Sequence, residues 1–92
     1  MLKVVLSNRF KKDLKLAKRR GFDLRLLKDV VDLLAQEKAL PESNKDHALT
    51  GKYVAFRECH IKPDWLLIYR VEEEALALML FRTGSHADLF DL

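Results

Sequence analysis

The sequence predicts an α+β fold: a small, antiparallel-rich sheet with two N-terminal helices packed on one face, in the order β-α-α-β-β-β. Two observations carry this. Two stretches of helical periodicity lie together within the first forty residues, and three apolar runs of strand length follow in the second half, separated by short turns. Helices segregated from a run of strands describe a sheet covered by helices, not the alternating order of a parallel sheet. Ninety-two residues suffice for one modest core, so the chain reads as a single domain over 1–92.

Lys3 to Leu6 is a short aliphatic strand. Ser7 or Asn8 is suited to cap the helix that follows, because a short polar side chain accepts a hydrogen bond from a free backbone N–H. Phe10, Leu14 and Ala17 form its narrow apolar stripe, and Gly21 is placed to end it in a left-handed turn. Asp23 caps a second helix running to about Lys38. Its apolar arc (Leu24, Leu26, Leu27, Val30, Val31, Leu33, Leu34) covers about half the circumference, as expected for a helix with more than one neighbour. Pro41 stops further helix, and the polar stretch to Gly51 reads as an irregular loop, long for so small a domain. Strands are expected at Tyr53–Ile61, Trp65–Val71 and Ala75–Arg82, joined by Lys62-Pro63-Asp64 and by Glu72-Glu73-Glu74. Beyond Arg82 a small polar turn leads into a short tail. The inner strands are apolar on both sides, so the sheet's second face also requires cover or a partner.

The composition, 49% hydrophobic and 34% charged, is that of a globular protein. No apolar run approaches the roughly 18 residues of a membrane span, and the N-terminus lacks the pattern of a signal peptide. The single cysteine, Cys59, excludes an internal disulfide and suits a reducing compartment, so a cytoplasmic location is expected. The net charge of +3 is unevenly spread. Residues 1–22 hold eight of the seventeen Lys and Arg but one of the fourteen acids, Asp13. Lys11, Lys12, Lys15, Lys18, Arg19 and Arg20 thus make the first helix a surface for RNA or for an acidic protein segment.

The side chains suited to chemistry lie at strand ends and in loops. His47 is in the middle of the long loop, His60 near the end of the first meander strand, Asp64 just past the next turn, and Arg82 and His86 after the third. His60 and Asp64 can meet across a short turn. In a meander the first and third strands run the same way, so His60 and Arg82 leave the sheet at one end. Arginine grips phosphate through two parallel hydrogen bonds, and histidine exchanges protons near neutral pH. No pair of histidines has the close spacing of a recognisable zinc site, so neither metal nor cofactor is expected. Cys59 reads as a small hydrophobe, Trp65 and Tyr69 as core, and Phe90 as a ligand-contacting ring.

Three segments, Lys45-Asp46-His47-Ala48-Leu49-Thr50-Gly51, Cys59 through Tyr69 and Phe81 through Phe90, closely resemble the YafQ branch of the RelE superfamily, toxins of bacterial type II toxin–antitoxin systems. The likeness covers nearly the whole chain. It implies a RelE-like fold and a metal-independent endoribonuclease that cuts mRNA in the decoding site of the 70S ribosome. It also implies a cognate antitoxin as partner. By match of position, His47, His60, Asp64 and His86 correspond to the family's catalytic set, with Arg82 and Phe90 alongside. Attack by a ribose 2′-hydroxyl on the adjacent phosphate requires a base, an acid for the leaving 5′-oxygen and a cation for the phosphorane. On this resemblance His86 is the acid and Arg82 holds the phosphate. Asp64 or His47 is the base or orients it, and His60 positions a neighbour or the phosphate. Cleavage of free RNA is expected to be negligible. The alternative is a non-catalytic, ParE-like gyrase inhibitor on the same fold, which has no use for clustered histidines.

Overall fold

The computed structural model describes residues 1–90; the last two residues of the expected tail lie outside it. Strand β1 (Lys3–Leu6) leads into helices α1 (Asn8–Arg19) and α2 (Leu24–Ala35). A 3-10 turn at Glu42–Asn44, a two-residue strand β2 (His47–Ala48) and a second 3-10 turn at Gly51–Tyr53 follow. The meander is β3 (Arg57–Lys62), β4 (Trp65–Glu72) and β5 (Ala77–Gly84), and the chain continues into a short helix, α3 (His86–Phe90).

Local chemistry accounts for the helix ends. Ser7 Oγ accepts from the Phe10 backbone N–H at 2.9 Å and donates to the Phe81 carbonyl at 2.6 Å, so the residue that starts α1 also moors it to β5. At its other end Gly21 takes φ +79°, and the N–H groups of Gly21 and Phe22 return to the carbonyls of Lys18 and Ala17. This is a Schellman ending with glycine at the left-handed position. Asp23 caps α2 through the Arg25 N–H. That helix ends at Ala35, three residues before the expected Lys38. Glu37, not a glycine, adopts the left-handed conformation (φ 58°), and Lys38 and Glu37 donate to Leu33 and Leu34 in the same motif.

The expected α+β fold is the one observed, with one strand added to the sheet. The strand order is β1-β5-β4-β3-β2; β1 pairs parallel with β5, and the other pairs are antiparallel. The loop expected to be irregular contributes β2, which pairs His47 with Glu58 and Ala48 with Arg57. Asn44 Nδ2 donates to the His60 carbonyl at 2.7 Å and ties the preceding turn to β3. The first meander strand begins at Arg57 rather than Tyr53, because Gly51 (φ +66°) opens a turn that carries Tyr53 away from the ladder. Strand β5 is displaced to Ala77–Gly84, since the turn before it runs to Leu76, itself at φ 50°.

Both long helices cover one face. Phe10, Leu27, Val30 and Leu34 pack there on Leu67, Tyr69, Leu78 and Leu80, together with Trp65 and Cys59, so these last two and Tyr69 are core as expected. Each such side chain contributes roughly 1.5–3 kcal/mol by leaving water. The opposite face carries Leu66 and Ile68, both fully buried, under Leu49, Phe56, Phe81, Leu89 and Phe90. The cover that this face required comes from the chain itself, through α3 and the segment after β2. The expected tail is helical because Ser85 and Asp88 form a reciprocal cap. Ser85 Oγ accepts from the Asp88 N–H at 3.1 Å, and Asp88 Oδ2 accepts from the Ser85 N–H at 3.0 Å.

Candidate active site

Sheet register brings most of the candidate residues to one face. Across β2, β3, β4 and β5, His47, Glu58, Ile68 and Arg82 occupy one row, and His60, Leu66 and Gly84 the next. Residues paired directly across strands share a face, and Leu66 and Ile68 place both rows opposite α1 and α2. His86, the first residue of α3, lies just beyond the second row.

The three imidazoles form a line. The ring centroids of His47 and His60 are 6.5 Å apart, and those of His60 and His86 are 5.7 Å apart. Two of them are steered by a hydrogen-bond acceptor, and His60 faces a carboxylate. His86 Nδ1 is 2.7 Å from Asp64 Oδ1, and the same oxygen accepts the His86 backbone N–H at 3.0 Å. With Nδ1–H donating to the carboxylate, Nε2 is left free for proton transfer. These bonds, the backbone one first, hold the Asp64 carboxyl below its ordinary range although it is exposed. His47 Nδ1 meets the Lys45 carbonyl at 2.7 Å. Between His47 and His60 lies Glu58, buried, with Oε1 3.6 Å from Nε2 of the first and 3.4 Å from Nε2 of the second. A buried carboxylate is costly without polar partners, and the two imidazoles supply them. The expected meeting of His60 with Asp64 is therefore replaced by two pairings: Asp64 serves His86, and His60 turns to Glu58.

Arg82 is held from the helix side. Its Nε and Nη2 donate to the two oxygens of Asp13 at 2.9 and 3.0 Å, and the Thr83 N–H donates to Asp13 Oδ2 at 3.1 Å. The side chains of this pair are only 14% and 12% exposed. Asp13 raises the guanidinium pKa further, so the charge is permanent. Two of the five guanidinium N–H groups are used, which leaves three donors for a phosphate. Phe90 joins the apolar cover of the same face, 6.0 Å from Tyr53, ring to ring. Of the basic residues on α1, Lys11, Lys12, Lys15, Lys18 and Arg19 point to solvent. Arg20 instead grips Asp88 at 2.7 and 3.3 Å and ties α1 to α3. No group of three His, Cys, Asp or Glu among the described residues is arranged to hold a metal ion. None of the described helices is long and apolar enough to cross a membrane.

A row of histidines on a five-stranded sheet with this order of elements can be matched directly. A family model described as the bacterial toxin of type II toxin–antitoxin systems, YafQ, fits residues 2–91. The chain belongs to the YafQ family. The mRNA interferase toxin YafQ of Escherichia coli K12 is 41% identical over 85 residues, covering 91% of this chain and 90% of the relative. A metal-bound toxin from Helicobacter pylori superposes with a TM-score of 0.93 at 49% identity, over 98% of this chain and all of the other. YafQ in the E. coli DinJ–YafQ complex superposes with a TM-score of 0.88 at 38% identity, covering 98% and 99%. The resemblance of the three segments to the YafQ branch is thus borne out over essentially the whole chain.

Two acids at this candidate site were not singled out from sequence. Glu58 lies on β3 next to Arg57, and Asp13 is surrounded by lysines on α1; both look like ordinary surface charges. A carboxylate on the site face of a strand, one residue before Cys59 and two before His60, is the available signal for Glu58. The lone acid of a basic helix is the signal for Asp13.

Proposed function

We propose that the protein is a ribosome-dependent endoribonuclease that cuts translated mRNA without a metal ion and is neutralised by its own antitoxin. The observation that carries the reading is the line of three imidazoles, with the carboxylates of Asp64 and Glu58 beside them, on the face that also presents Arg82. His60 and His86, 5.7 Å apart between ring centroids, are spaced to bracket one phosphate, whereas His47 lies beyond His60. His60, steered by Glu58, removes the proton of the ribose 2′-hydroxyl. The O2′–P bond forms as the P–O5′ bond breaks, and His86 Nε2 gives its proton to the departing 5′-oxygen. The products are a 2′,3′-cyclic phosphate and a 5′-hydroxyl end. Arg82 stabilises the charge of the phosphorane with the N–H groups that Asp13 leaves free. Asp64 holds His86 in the donor orientation, and His47 completes the polar surroundings of Glu58.

The openness of the site supports dependence on the ribosome. The side chains of Asp64, His47 and His86 are 70%, 51% and 40% exposed, so none of the described residues encloses an RNA strand there. The exposed lysines of α1 supply contacts to ribosomal RNA or to an acidic antitoxin segment, and such contacts weaken as salt rises. The E. coli relative in complex with DinJ supports a protein antitoxin as partner. The gyrase-inhibitor alternative gives the imidazole line no role.

Primer extension on mRNA from expressing cells is expected to show discrete new 5′ ends within translated frames. Purified protein, stripped with a chelator and added to programmed ribosomes, is expected to cut at an undiminished rate, and to leave the same mRNA intact without ribosomes. Intact mRNA alongside failed DNA supercoiling would overturn the proposal.

A further inference from the structure

Beside the imidazole line, bounded in part by α3, is a cavity of about 270 Å³ that shares only Arg82 and Phe90 with the candidate roles above. Its walls are Arg9, Lys52, Tyr53, Arg82, Leu89 and Phe90, with Asp88 at the rim. The charge in it is positive. Asp88 is already bonded to Arg20 and to the Ser85 N–H, so it offers little repulsion to an anion. Arg9 and Lys52 are exposed and make no ion pair with a described residue. Tyr53 and Phe90 stand edge to face, and the Lys52 ammonium lies 5.5 Å from the centre of the Tyr53 ring. Aromatic rings with interleaved cations are what single-stranded RNA binds, bases stacking on the rings while phosphates meet the charges.

We propose that this cavity is a subsite for one nucleotide of the mRNA strand, adjacent to the phosphate that is cut, with Tyr53 receiving the base and Arg9 and Lys52 its phosphate. The inference rests on the nuclease reading above and deepens it. Continuity with the catalytic groups favours the cleaved strand over ribosomal RNA. Arg82 and Phe90 belong to both places, and α3 carries His86 at one end and Phe90 at the other, about 6 Å along the axis. Tyr53 sits where the sequence alone predicts a strand start; the turn opened by Gly51 is what places it in this wall.

The test uses ribosomes programmed with mRNAs that differ only in the nucleotides flanking the cut. Tyr53→Leu is expected to lower kcat/KM by roughly 5–150-fold, the loss that one stacked base represents, and to flatten the preference for the flanking nucleotide. Tyr53→Phe is expected to retain most of the rate. The surface double variant Arg9→Ala/Lys52→Ala, which removes no packed side chain, is expected to raise KM about tenfold with kcat little changed. Wild-type cutting with unaltered kinetics in these variants would overturn the subsite and leave the nuclease reading standing. So would an equal loss of affinity for ribosomes that carry no mRNA. A second measurement is independent of cleavage: NMR titration of the His86→Gln protein with a single-stranded RNA tetranucleotide. Amide shifts at Arg9, Lys52 and Tyr53 that Lys52→Ala reduces are expected even if no ribosome-dependent cutting is found. Their absence would overturn the subsite.

Discussion

Replacing Asp13 with alanine tests how Arg82 is held. The substitution removes the acceptors of two guanidinium N–H groups and of the Thr83 backbone N–H, at 2.9, 3.0 and 3.1 Å. Breaking a buried pair by removing one partner costs about 3–5 kcal/mol, because the remaining charge stays desolvated. With about an eighth of each side chain still reaching solvent, the low end applies, about 3 kcal/mol. With a urea m-value of about 1–3 kcal/mol/M, the unfolding midpoint should fall by roughly 1–3 M. The double-mutant cycle with Arg82→Met isolates the pair: the second substitution should recover a large part of the loss, since no unpaired charge remains. Cleavage on the ribosome should drop about 10²-fold or more in Asp13→Ala, as one preorganised cation at the phosphorane loses its anchor. Asp13→Asn keeps one acceptor oxygen and should fall between. A midpoint within about 0.3 M of wild type, with the cycle additive, would refute this account of Arg82.

Four further outcomes are expected. His86→Gln should lower kcat by about 10²–10⁴-fold, the usual worth of a positioned proton donor, with a melting temperature near wild type. Asp64→Asn should cost less and distort the pH–rate profile, because it misorients His86 without removing it; identical losses with identical profiles would contradict the orienting role. In urea unfolding against pH, the stabilising share of Asp88 should be fully present above its unfolded value near 4. It should then be lost as pH falls toward its folded value of about 2, set first by the Arg20 hydrogen bond and then by the Ser85 N–H. Asp88→Asn should abolish that segment of the curve. Burial pushes the Cys59 thiol up to about 12, so alkylation at pH 8 should proceed only as fast as the protein opens, measured by mass spectrometry with and without denaturant.

Several of these features are legible locally. Ser7, Gly21 and Asp23 each act within a few residues of themselves, so helix starts and the first helix stop can be read from the chain. The second stop was missed because a glutamate, Glu37, takes the left-handed position that usually marks itself with glycine. Helix α3 stands where the sequence suggests only a polar turn and a tail; its local signal is Ser85 and Asp88, three apart as a reciprocal cap requires, and the apolar tail obscures it. The parallel pairing of β1 with β5 joins residues more than seventy positions apart, and no local signal encodes it.

The sequence by itself determined the α+β class, the candidate histidines, Asp64 and Arg82, and through three segment matches the YafQ family, because residue type and short-range order carry those facts. Only the tertiary structure decided which groups meet. It assigns Asp64 to His86 rather than to His60, puts Glu58 between His47 and His60, turns Asp13 toward Arg82, and lifts Tyr53 out of the sheet into a basic cavity. The physical reason is that a carboxylate's role depends on what faces it. Two residues with the same local sequence character, one solvated and one buried between imidazoles, differ only in the register of the strands that carry their partners.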